Sequence, residues 1–234
     1  MSVEPEPRTG YASGPNRRRP LVLEVLTLCG THLTGILRPL LGIKVSWIWS
    51  LTNPDAIDAV IGEVPRLGLY LFVMYASGDP LSRFGLRRVD WRRDLIALGL
   101  ALLVLTAYCG YELPRPLTPT TLRLLTSVAG RLAPVWLLAI KYLLVGAYEE
   151  TAYRGYMIPR LEELLGSTWI AVIVQGVFFG LVHSYQGLRG MVVTGLFGLG
   201  MGTIFARYRS VWPLALAHAL NDFILTVHTI QAVS

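Results

Sequence analysis

The sequence predicts an all-α fold, a polytopic transmembrane bundle of about seven helices within a range of six to eight. Three observations predict it. Of 234 residues, 53% are hydrophobic and only 15% are charged, against about 25% charged in an average soluble domain. Mean hydropathy is +0.50. Long apolar runs recur: after Asp94 the chain reads LIALGLALLVLTAYCGY, with no charge until Glu112, enough to cross a hydrocarbon layer once. This composition excludes an ordinary soluble enzyme, a disordered chain and a secreted disulfide scaffold. The net charge of +6 would suggest nucleic acid in a soluble protein. Here the basic residues gather at the ends of apolar segments, so they report orientation, and no nucleic-acid partner is expected.

Residues 1–20, rich in Pro, Gly and charge, read as a disordered cytoplasmic tail. Residues 21–234 read as a single membrane domain. Its first segment, 21–41, is interrupted by Glu24, His32 and Arg38, and the stretch 43–51, with Trp47 and Trp49, reads as interfacial. The second segment, 59–77, carries Pro65 and Arg66 near its start. The remaining five are expected at 95–112, 132–150, 167–185, 190–208 and 211–230, with a loop beginning near Arg154. Placing the N-terminus in the cytoplasm puts Arg17, Arg18, Arg19 and the FGLRRVDWRR block on the same side, as the positive-inside rule requires. Cys29 and Cys109 read as small buried hydrophobes. Lys141 is expected to snorkel to the interface. Gly176 and Gly180, and Thr194, Gly198 and Gly202, form small-residue rows that let helices approach closely in lipid. His183 follows Gly180 by three residues and should point into the bundle.

Ionisable groups inside a bundle are costly and mark function. Three sets stand on successive apolar segments: Glu149-Glu150 with Arg154, Phe179 with His183, and His218 with Asn221 and Asp222. Glu150 and Arg154 are four apart and share a helix face, so they can pair. Glu149 is turned about 100° away on a helix of 3.6 residues per turn. Lacking that partner, it is the carboxylate suited to general-base work. Asn221 and Asp222 flank the face of His218. Two mechanisms fit this set. Glu149 and His183 activate a water, while His218 with Asn221 or Asp222 stabilises the oxyanion. Alternatively, Glu149, His183 and His218 hold zinc with an open water position. No HExxH is present. His32 and His228 lie outside these sets and receive no role.

At these residues the sequence resembles the CPBP or Abi intramembrane proteases, which include CAAX prenyl endopeptidases of the Rce1 type. The family pattern EExxxR, FxxxH and HxxxN/D stands here as EETAYR at 149–154, FGLVH at 179–183 and HALND at 218–222. The likeness covers about residues 80–230. It implies an intramembrane endopeptidase in the bacterial plasma membrane, acting on a membrane protein or lipidated peptide. Glu149 matches the family's catalytic base, His183 the water-activating histidine and His218 the oxyanion-side histidine. Glu150, Arg154 and Phe179 match supporting positions, and Asp222 stands where Asn is common. The resemblance favours a reaction without a metal cofactor, with zinc as the alternative. A non-catalytic immunity or scaffold protein is the reading from another class.

Overall fold

A computed structural model describes residues 15–41 and 51–231. The tail expected over 1–20 lies outside the described residues as far as residue 14, and so does nearly all of the interfacial stretch expected at 43–51. Among the described residues the structure is helical, with no strand and one isolated bridge between Thr52 and Leu132.

The first expected segment is two helices, α1 (Pro15–Gly30) and α2 (Leu33–Leu40). The break falls at Thr31 and His32, where the Thr31 hydroxyl donates to the Leu28 carbonyl at 2.6 Å. That bond competes with the backbone ladder and closes the first helix. From residue 59 onward, one α-helix makes up the body of each expected segment. α3 (Asn53–Ala76) starts at an extended Thr52 with Pro54 in its first turn, the position where a missing N–H costs nothing. α4 (Trp91–Glu112) is capped by Asp90, whose carboxylate accepts from the Arg93 amide. A short helix unforeseen in the sequence, α5 (Pro119–Val128), is capped by Thr118. α8 (Thr168–Val182) follows a Ser167 cap, α9 spans Gly187–Tyr208, and α10 spans Trp212–Gln231. Among the described residues, two helical stretches are long and apolar enough to cross a membrane, Trp91–Glu112 and Ser184–Tyr208.

The loop expected near Arg154 is absent. α6 (Val135–Glu149) passes into a π-helical segment, Glu150–Met157, and then into α7 (Ile158–Leu165), which stops at Gly166 with φ 70°. Gly is the residue that adopts this left-handed cap without strain. The chain stays helical because its charges are satisfied inside the bundle. Arg160 is 1% exposed. Its guanidinium donates to Glu24 on α1 at 3.1 Å and to Asp79, after α3, at 2.7 Å. Burial works against the Asp79 carboxylate, but its bonds from Arg160 and Arg83 outweigh that and hold it below its ordinary pKa. Lys141 does not snorkel: it is 5% exposed, with its ammonium 4.7 Å from the Tyr142 ring centroid.

Helices approach closely at the α8–α9 seam. A Cβ on Gly180 would meet the Met191 carbonyl oxygen at 2.6 Å, and one on Gly176 would meet Leu199 at 2.5 Å. Backbones approach there because side chains are missing. Gly99 on α4 has nothing within 4 Å of a built Cβ. Gly180→Leu should therefore destabilise the protein in detergent by about 1–3 kcal/mol. Gly99→Leu should leave the unfolding midpoint near that of the parent.

Candidate active site

Glu149 ends α6 as the chain enters its π turn. One carboxylate oxygen, Oε2, is buried with no hydrogen-bond partner. Its side chain lines a cavity of about 230 Å³ together with His183, His32, Glu63, Arg66 and Tyr185. His183 sits at the C-terminal end of α8, where Nδ1 lies 2.7 Å from the Phe179 carbonyl oxygen. That bond requires the proton on Nδ1, which makes Nε2 the lone-pair nitrogen. The expected inward aim of His183 is what the structure has.

Glu150 points the other way and is fully buried. Its Oε1 accepts from Arg154 Nη1 at 2.6 Å and lies 2.6 Å from His218 Nδ1. The expected Glu150–Arg154 pair is thus present, and it has a third member. Arg154 also reaches the Gly198 carbonyl at 3.5 Å, and its guanidinium lies 4.5 Å from the Phe179 ring centroid. Phe179 therefore carries the cation on its face, an attraction that strengthens without water. His218 is held from one side by Glu150, with the Phe197 ring 5.3 Å away. Its Nε2 stands 3.7 Å from Glu149 Oε2 and 3.8 Å from Asp222 Oδ2.

The HALND run divides by face. Asp222 turns its carboxylate toward His218. Asn221 is buried toward α4, where its carbonyl oxygen is 3.5 Å from Cys109 Sγ and its amide donates to Asp222 Oδ1 at 3.1 Å. Among the described residues, no three His, Cys, Asp or Glu side chains are placed to hold a metal ion.

Of the residues lining the cavity, sequence reasoning found only Glu149 and His183, and among those it missed are a histidine, a carboxylate and a cation. His32 comes from the break between α1 and α2, and Glu63 and Arg66 come from α3, all before the motifs. The signal for His32 was its polarity inside an apolar segment. Nothing in the spacing linked it to residues more than a hundred positions away.

Residues 131–224 match the family model described as type II CAAX prenyl endopeptidase, Rce1-like. That span holds Glu149, Glu150, Arg154, Phe179, His183, His218, Asn221 and Asp222, while His32, Glu63 and Arg66 lie outside it. No curated protein and no solved structure matches the chain.

Removing one member of a buried ion pair leaves the other charge without compensation. Arg154→Gln should cost about 3–5 kcal/mol of stability, read as a lowered unfolding midpoint in detergent. Arg123→Gln, at an exposed site on α5, should leave the midpoint near the parent value.

Proposed function

We propose that this chain, which carries the Rce1-like type II CAAX prenyl endopeptidase domain in residues 131–224, is an intramembrane endopeptidase. It hydrolyses a peptide bond of a membrane-associated protein or lipidated peptide. The observation that supports this reading is the meeting of Glu149 and His183 on one cavity, with His218 against Glu149 on the other side.

In this reading Glu149 takes a proton from a water in the cavity, and His183 Nε2 accepts a hydrogen bond that orients it. The water oxygen attacks the scissile carbonyl carbon, and the carbonyl π electrons move onto oxygen. His218 Nε2–H donates to that oxyanion. Because Nδ1–H is given to Glu150, His218 donates as an imidazolium, and Glu149, Glu150 and Asp222 are its counter-charges. Asp222 then orients His218 and makes no contact with the oxyanion, which an ionised carboxylate would repel. The oxyanion electrons then re-form the carbonyl, the C–N bond breaks with its electron pair leaving on nitrogen, and Glu149 gives its proton to that leaving amine. Microscopic economy of this kind needs one carboxylate that changes state and another that does not. Arg154 holds Glu150 in the second role. Substrate enters from the bilayer, and the N-terminus faces the cytoplasm.

Glu149→Gln should lower kcat by about a hundredfold or more, measured in liposomes on a peptide substrate, with the unfolding midpoint retained. Full cleavage by that variant would overturn the assignment, and would favour a non-catalytic membrane role for the motif. A chelator should leave the wild-type rate unchanged. A lasting loss restored by zinc would overturn the metal-free mechanism.

A further inference from the structure

His32 stands at the break between α1 and α2, outside the matched family domain, with tyrosines at both ring nitrogens. Nδ1 lies 2.7 Å from the Tyr153 hydroxyl. Nε2 lies 2.8 Å from the Tyr70 hydroxyl and 3.1 Å from the Tyr148 hydroxyl. Tyr70 donates its own proton to the Leu28 carbonyl at 3.2 Å, so its oxygen accepts from the ring. The neutral imidazole with its proton on Nε2 meets this arrangement: Nε2–H donates to Tyr70, and Nδ1 accepts from Tyr153. The Tyr148 ring stacks on the imidazole, with centroids 5.7 Å apart and planes 7° from parallel.

Two of these tyrosines bracket the proposed base. Tyr148 precedes Glu149, and Tyr153 lies in the π segment just after it. They are five residues apart. On an α-helix of 3.6 residues per turn they would be turned about 140° from each other. The π register, whose backbone bonds span five residues, brings them onto one side. Their hydroxyls can converge on one imidazole because the helix is underwound at this point of the chain. Single π turns inside α-helices accompany functional sites.

We infer that His32 is a positioning residue that clasps Tyr148 and Tyr153, holds the π register between them, and so fixes the rotation at which Glu149 faces the cavity. The inference rests on the proposed role of Glu149 and extends it. The N-terminal helices then do more than flank the domain, because α1 and α2 deliver the ring that sets the aim of the base.

Two measurements on the full chain in liposomes test this. The first reads cleavage. His32→Ala should lower kcat by about tenfold or more with little change in KM. His32→Gln, which can both donate and accept, should recover most of the loss. Unchanged kcat, or a loss confined to KM, would overturn the proposal. The second does not use cleavage. In a chain carrying Cys29→Ala, Cys109→Ala and Glu149→Cys, the thiol is labelled with N-ethylmaleimide. Adding His32→Ala should change the labelling rate by about fivefold or more, and adding His32→Gln should not. An equal rate in all three would overturn the proposal. Tyr153→Phe removes one clasp bond with little change in volume. It should shift both readouts in the same direction, and it carries the test if His32→Ala does not fold. Retained cleavage by Glu149→Gln would count against the role of the base, whereas the labelling rate reports the clasp alone.

Discussion

The fully buried contact of Glu150 with Arg154 and His218 is the constraint around which the rest of the site is arranged. An ion in an apolar interior is tolerated only when fixed partners of opposite charge hold it. Glu150 has a guanidinium and an imidazole on the same oxygen, at 2.6 Å each. Those partners come from the π segment and from α10, so one carboxylate joins elements nearly seventy residues apart in sequence. The Arg154 contacts to Gly198 and Phe179 extend the same network into α8 and α9. Every helix that lends a motif residue is therefore tied to Glu150 directly or through one neighbour. With that charge settled, Glu149 is free of ion pairing to Arg154 and faces the cavity.

Much of this was legible in the sequence because scarce charge in an apolar chain is informative. The four-residue spacing of Glu150 and Arg154 announced a pair, and the glycine rows announced the α8–α9 seam. The all-α character followed from the apolar runs. What escaped the sequence depended on contacts between distant segments. The continuation past Arg154 required knowing that Arg160 would find Glu24 and Asp79, so a run of charge that reads as a loop is a buried helix. Lys141 was misjudged for the same reason, since its length suits snorkelling and only the fold shows it buried. The different directions of Asn221 and Asp222 follow from where α4 packs against α10, which spacing alone does not encode. His32 had no periodic partner at all.

The division between matched and unmatched sequence does not coincide with the division between site and scaffold. The domain in residues 131–224 supplies the carboxylates and both motif histidines. Part of the cavity lining comes from the α1–α2 break and from α3, with Glu63 and Arg66 paired at 2.9 Å beside the same cavity as Glu149. A cation, a second carboxylate and an imidazole in that lining give it a polarity unlike the apolar exterior. The chain ahead of the domain thus adds polar groups to the cavity that Glu149 lines.

The unbroken passage from α6 through the π segment into α7 has a mechanical meaning. Glu149 and Arg160 sit on one continuous rod, with no loop between them to absorb a twist. Arg160 is gripped by acidic groups on α1 and beyond α3, and that grip acts as a torsional clamp at one end of the rod. A rotation imposed there would meet no loop before it reached Glu149. The ion cluster and the cavity are distant in chemistry, yet they share a single axle.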